Sequence, residues 1–219
     1  MPEGATGERR SPDVQARSGE PRTRRGRETR ERILNAAAEL IHVKGVHGTS
    51  VDDVLERSGT GKGQFYHYFD GKAELIREVL HHQIGREFDR DRRFLERLDS
   101  WEGIEAWFDR IVESQVRTGF LGGCPIGSIA AEMADQDDEL RLELTEAFDL
   151  KKAWLLEGLN AMKERGELAA DADPEELADF ALATIQGGLI LATTRKDEGP
   201  LRRALTEALR HLRSFEEVP

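Results

Sequence analysis

Two lysines stand where their charge is out of place. Lys62 and Lys72 each fall in the first turn of a predicted helix, where the helix macrodipole disfavours a cation by about 0.3–1 kcal/mol. A phosphate at that spot would take up both the free amide protons of the helix N-terminus and the lysine charge. The placement therefore suits clamping of a nucleic-acid backbone, against the plainer reading of two solvated surface lysines. Cys124 is the second candidate for chemistry. As the single cysteine of 219 residues, it cannot close an internal disulfide or build a cysteine zinc cluster, which agrees with a reducing compartment. It precedes a predicted helix N-terminus, a setting that can activate a thiol as a redox sensor; a buried, inert cysteine is the alternative. His81 and His82 are adjacent, and adjacent helical positions do not share a face, so no metal site is expected. The chain carries no nucleophile elbow, phosphate loop, dinucleotide fingerprint or paired-carboxylate motif. It reads as a non-enzyme without catalytic residues or cofactor.

Those residues need a scaffold, and the apolar spacing predicts one. Ile33, Leu34, Ala37, Leu40 and Ile41 follow the i, i+3, i+4 rule, and Gly45 stops the helix. Ser50, with Asp53 three positions on, is a capping-box variant that opens a short helix ending before Gly59. Thr60 is placed to cap the next short helix, which runs through Gln64, Phe65 and Tyr66 and breaks at the Phe69-Asp70-Gly71 turn. Helix, glycine-containing turn and short helix are the plan of a helix-turn-helix, whose second helix enters the major groove. Phe65 and Phe69, four positions apart, read as core. Downstream the spacing predicts longer helices over 72–95, 101–118, 126–134, 138–165, 174–194 and 201–215, with breaks at glycine and proline. No strand pattern competes. The expected fold is all-α: a disordered basic arm over 1–27, a three-helix helix-turn-helix domain over 28–72, and a helical ligand-binding and dimerisation bundle over 73–219.

A net charge of −11 looks wrong for a nucleic-acid binder until it is divided along the chain. Residues 1–32 carry nine arginines against six acidic residues, and residues 33–72 carry four basic against five acidic. Residues 73–219 are left with −13. An acidic body repels DNA and would confine contact to the N-terminal end, although simple solubility also explains the acid. No unbroken run of 18 apolar residues occurs and the N-terminus lacks the apolar core of a secretion signal, so the expected location is cytoplasmic, with no membrane partner.

The segment Thr29-Arg30-Glu31-Arg32-Ile33-Leu34, then Gly48-Thr49-Ser50-Val51-Asp52-Asp53-Val54, then Ser58-Gly59-Thr60-Gly61-Lys62-Gly63-Gln64-Phe65-Tyr66-His67-Tyr68-Phe69 closely resembles the N-terminal domain of TetR-family regulators. The match continues through Asp70-Gly71-Lys72-Ala73-Glu74-Leu75 and keeps order and spacing without a gap. Gly61 departs from it, since the family usually has a Ser or Thr cap there. The resemblance implies double-stranded DNA contacts from Ser50, Thr60, Lys62, Gly63, Gln64, Tyr66 and His67, with Lys72 on a phosphate. Gln64 can pair bidentately with adenine, Gly63 allows close backbone approach, and Tyr66 and His67 suit phosphates.

The resemblance fades after about residue 80, where the family binds varied small molecules and pairs as homodimers. Trp101, Ile104, Trp107, Phe108, Ile111 and Val112 form one apolar stripe; Leu144, Ala147, Phe148, Trp154, Leu155 and Leu159 form another. Such stripes are more often core than pocket. The concentration of aromatics nevertheless places a candidate effector site at Trp107, Phe108, Ile111, Phe120, Cys124, Phe148 and Trp154. The Gly122-Gly123-Cys124-Pro125 stretch resembles a segment of a TetR subgroup that answers to drugs or plant phenolics. In the last two helices, Gly187 and Gly188 cost about 1 kcal/mol each relative to alanine, so close helix packing is expected there. The resemblance makes Phe180, Thr184, Gly187, Gly188, Leu191, Leu205, Ala208 and Leu212 a dimer interface, spacing two recognition helices by about 34–36 Å on a palindromic operator. The expected function is a repressor released by a small lipophilic or aromatic effector. The alternative is a ligand- or redox-sensing dimer, through Cys124, whose DNA binding is weakened or lost at Gly61.

Overall fold

The structure, a computed structural model, describes residue 21 and residues 23–217. Nine helices make up the described residues: α1 (Arg24–Lys44), α2 (Val51–Ser58), α3 (Lys62–Tyr68), α4 (Lys72–Leu95), α5 (Trp101–Arg117), α6 (Pro125–Met133), α7 (Asp138–Glu164), α8 (Pro174–Arg195) and α9 (Gly199–Arg213). The chain is all-α, as the periodicity predicts. Most of the basic arm expected at 1–27 lies outside the described residues. Its last four positions, though, are helical: Thr23 caps α1 by accepting from the Gly26 amide at 3.1 Å. A Thr at N-cap offsets the lack of apolar residues in that first turn.

Ile33, Leu34, Ala37 and Ile41 bury one face of α1 against α2 and α4. α4 is shared by both halves of the molecule. Leu75, Ile76, Val79 and Leu80 sit in the N-terminal core, whereas Asp91 and Leu95 are buried further along, where α4 meets α5 and α7. A single apolar cluster runs from Ile33 and Phe65 through Leu80 to Leu155 and Leu205, so the two halves share one core. In the C-terminal half α8 packs against α7 and, most extensively, α9. Close approaches explain two glycines. A Cβ on Gly158 of α7 would meet the Leu98 carbonyl oxygen at 2.2 Å, and one on Gly188 of α8 would meet Leu201 Cδ1 at 2.8 Å. The turn after α7 is tied to the chain after α9 by the Ala169 amide donating to the Phe215 carbonyl at 2.8 Å.

Candidate nucleic-acid interface and ligand cavity

α2 and α3 are held by local hydrogen bonds that follow from sequence. The Ser50 hydroxyl accepts from the Asp53 amide at 3.1 Å while the Ser50 amide donates to the Asp53 carboxylate at 2.8 Å, closing the expected capping box. The Ser50 hydroxyl, which also donates to the Asp53 carboxylate, and then the Ser50 amide hold that carboxyl below its ordinary value. Gly59 then takes φ 65, the left-handed conformation, and the Thr60 amide donates back to the Leu55 carbonyl at 3.1 Å. That bond keeps Thr60 in the end of α2. Its side chain is buried, with a 2.7 Å hydrogen bond between its hydroxyl and that of Ser58. Thr60 therefore neither caps α3 nor reaches outward, contrary to the sequence expectation. Gly61 is the N-cap, and the Gln64 side chain reaches back to accept from the Gly61 amide at 3.3 Å.

α3 is divided into two faces. Phe65 and Phe69 are fully buried with ring centroids 5.4 Å apart, and Lys62, Gly63, Gln64, Tyr66 and His67 are exposed. Lys62 and Lys72 do open α3 and α4, and neither Gly61 nor Gly71 offers a capping side chain. Lys62 meets the Asp52 carboxylate at 3.2 Å. Both groups are largely exposed, so the pair contributes about 0–1 kcal/mol and a phosphate can displace it.

Helices α4 to α8 enclose a cavity of about 120 Å³. Trp107, Ile111, Leu182, Ile185 and Leu189 form an apolar wall; Glu87, Arg90, Asp91, Arg110 and Lys151 form a charged one. Lys151 Nζ lies 2.8 Å from Glu87, and Asp91 lies 3.0 Å from Arg90 and 3.1 Å from Arg110. Burial alone would push the Lys151 ammonium down, but Cys124 and Glu87 outweigh it and hold the group above its ordinary value. Cys124 caps α6: its Sγ accepts from the Gly127 amide at 3.3 Å and sits 3.9 Å from Lys151 Nζ. Gly122 and Gly123, at φ 71 and 63, turn the chain into that cap. His42 of α1 reaches the same cavity; burial lowers its pKa, against a hydrogen bond with the Leu121 backbone. α6 also grips the turn after α1, because the Glu132 carboxylate accepts from the Val46 and His47 amides at 3.0 and 3.1 Å.

Residues 33–79 match the model of the bacterial regulatory proteins, tetR family, and residues 100–207 match that of the transcriptional regulator LmrA/YxaF-like C-terminal domain. An HTH-type transcriptional regulator from the lacX 3' region of Lactococcus lactis subsp. lactis is 34% identical over 179 residues, covering 78% of this chain and 86% of that one. The chain belongs to the TetR family of transcriptional regulators. Among solved structures, a TetR regulator from Chloroflexus aurantiacus J-10-FL superposes with TM-score 0.77 at 27% identity, covering 90% of this chain and all of that one. A cysteine-substituted TetR-family regulator, CifR, solved with a 26-bp double-strand operator, superposes with TM-score 0.72 at 25% identity over 83% and 95% of the two chains.

In this TetR-family regulator, three of the seven residues expected at the effector site line the cavity: Trp107, Ile111 and Cys124. Phe108 is buried beside Trp107, centroids 5.6 Å apart, behind the wall. Phe120 sits in the α5–α6 turn at φ 58, its carbonyl accepting from Lys196 at 2.7 Å. Phe148 and Trp154 flank the cavity on α7 without lining it, because Lys151 takes the inward position between them; Trp154 packs on Phe88 instead, at 5.9 Å. The aromatic pocket expected from sequence is thus a half-charged one. Sequence reading missed Arg110, Gln115, Lys151 and His42.

The expected dimer residues divide by helix face. Gly188, Leu205, Ala208 and Leu212 are buried within the protomer, where α8 packs on α9. Phe180, Gly187 and Leu191 are exposed, with Thr184 partly so, and Ala183 and Ile190 join them on one outward stripe. α8 is long and apolar enough to cross a membrane by length and composition, with mean hydropathy 1.4 over an 18-residue window. It is apolar on both faces, one packed and one open.

Proposed function

We propose that this TetR-family regulator is a homodimeric repressor that occupies a palindromic operator through α3 and leaves it when a small molecule fills the cavity. The observation that carries this reading is the division of α3, whose aromatic face is locked into the core while Lys62, Gly63, Gln64, Tyr66 and His67 project together. Gln64 reads an adenine edge, Gly63 lets the backbone approach, and Ser50, Lys62, Tyr66, His67 and Lys72 hold phosphates. The net −13 of residues 73–219 keeps DNA off the rest of the surface. The outward stripe of α8 pairs two protomers about a two-fold axis, which sets the two α3 helices on successive major grooves. An operator-binding role puts the protein in the cytoplasm with the chromosome. Release follows from the cavity's position, since His42 belongs to α1 and the charged wall begins on α4, and both helices carry the helix-turn-helix. The apolar wall receives the effector's hydrocarbon body.

Selection of bound sites from random double-stranded DNA by the full-length protein tests this. Inverted repeats with half-site centres about 34–36 Å apart are expected, and single half-sites or no enrichment would overturn it. A second reading has one observation in its favour: Cys124 faces Lys151 inside the cavity, so oxidation could supply the release signal. If peroxide releases operator from wild type but not from Cys124→Ser, oxidation is the signal. The version in which Gly61 weakens or abolishes DNA binding is not favoured, because α3 forms without a capping side chain and the Gln64 side chain closes the other half of the box by accepting from the Gly61 amide.

A further inference from the structure

The charged wall restricts what the cavity takes, on the reading that it is the effector site. Three cations face two carboxylates. Glu87 matches Lys151, but Asp91 is shared, Arg90 on both its oxygens and Arg110 on Oδ1. One positive charge is left over among these five groups, and Cys124, which also lines the cavity, lies against Lys151 at 3.9 Å and not against Arg110. His42 adds none, because burial keeps its imidazole below the ordinary 6.5 and therefore neutral at neutral pH. Arg110 is 7% exposed and Gln115 8%. Arg110 Nη1 and Gln115 Oε1 are buried with no hydrogen-bond partner among the described residues. Burial opposes the charge on Arg110, and Asp91 only partly offsets it. Buried polar groups are ordinarily paired, so the donor on Arg110 asks for an acceptor and the carbonyl of Gln115 for a donor. Size limits the rest. An apolar cavity of about 150 Å³ admits benzene, so the 120 Å³ here admits roughly five or six heavy atoms.

We propose that the occupant is a short-chain hydroxycarboxylic acid, its carboxylate on Arg110, its hydroxyl donating to Gln115 and its hydrocarbon chain against Ile185 and Leu189. A carboxylate neutralises the leftover charge and accepts from the free guanidinium nitrogen in one step. The hydroxyl satisfies Gln115. A larger lipophilic or aromatic effector would leave both groups unpaired.

Calorimetric titration of the full-length protein decides it, using hydroxyethanoate and the 2- and 3-hydroxy acids of propanoate, their primary amides, and the two unsubstituted acids. At least one hydroxy acid should bind once per protomer. Its amide should bind about tenfold or more weakly, and the unsubstituted acid severalfold more weakly. Gln115→Leu should erase the advantage of the hydroxyl and keep the advantage over the amide. Arg110→Gln should erase the second preference; if that variant does not fold, the amide series and Gln115→Leu still decide. Binding by no hydroxy acid in the panel, or by amides as tightly as acids, overturns the proposal. Operator release separates it from the effector reading. An acid that binds without releasing DNA leaves this inference standing and removes the effector role. A neutral lipophilic compound that releases DNA, while no acid binds, does the reverse.

Discussion

Ile190→Glu is the most direct test of how two copies of this chain meet. Ile190 is 65% exposed, and Leu191 and Phe180 on the same stripe are 49% and 40% exposed. Full burial of an isoleucine side chain contributes about 1.5–3 kcal/mol. Roughly two-thirds of Ile190 is still open in the protomer, so covering it adds about 1–2 kcal/mol, and a two-fold dimer covers it twice. The substitution should therefore weaken the dimer by about 2–4 kcal/mol before the repulsion of paired carboxylates is counted, a thirty- to thousandfold rise in dissociation constant at about 1.4 kcal/mol per tenfold. Sedimentation across nanomolar to high-micromolar protein reads that shift directly. Circular dichroism should show the helices intact, because the residue makes little of the protomer's own core. Leu142→Glu on α7, where Leu142 is 56% exposed, serves as the control and should leave association unchanged. An Ile190→Glu protein that is folded and dimerises like wild type would refute the placement of the interface on α8.

Three further outcomes are expected. Lys72→Ala should weaken binding to operator and to random DNA by similar factors and lower the log–log salt slope by about 1 per half-site, which a salt titration measures. Gln64→Ala should erode discrimination at one base pair per half-site by about 1–3 kcal/mol with little change in salt slope, which competition among single-base operator variants measures. His42 is held below its ordinary 6.5 by burial, so unfolding takes up a proton that the folded state refuses. Stability should be full above that pH and fall as pH drops through it, and urea unfolding of His42→Gln should show a shallower fall than wild type.

The helix-turn-helix was legible because its signals are local. Ser50 with Asp53, the glycine at 59 and the aromatic pair at Phe65 and Phe69 each act within a few residues, and each does in three dimensions what its spacing predicts. Thr60 misled for an equally local reason: two neighbouring positions, 60 and 61, compete for the cap, and the closing hydrogen bond of α2 decides between them. The cavity was half legible. Leu144, Ala147, Lys151 and Leu155 follow one helical stripe, all buried, so the sequence does carry a charged residue in an apolar register. Weighing aromatics alone passed over it, as it passed over Arg110 on α5 and Asp91 on α4. The faces of α8 were not legible. Apolar residues surround that helix, and which glycine meets Leu201 and which faces out depends on where α9 lies.

The length of α4 gives the molecule mechanical gain. Lys72 at one end and Asp91 near the other are nineteen positions apart on one unbroken helix, about 28 Å at 1.5 Å per residue. A tilt of about 5° pivoting at Asp91 carries Lys72 about 2.5 Å over that length. Across the last turn alone the same tilt moves atoms by less than about 0.5 Å, within what a packed core absorbs by small side-chain adjustments. The far end moves by nearly the length of a hydrogen bond, enough to lift an ammonium off a phosphate. With Lys72 on a phosphate as proposed, a rearrangement at the shared carboxylate of Asp91 too slight to disturb the bundle would be large at the DNA, and the helix would serve as a lever whose short arm lies in the cavity wall.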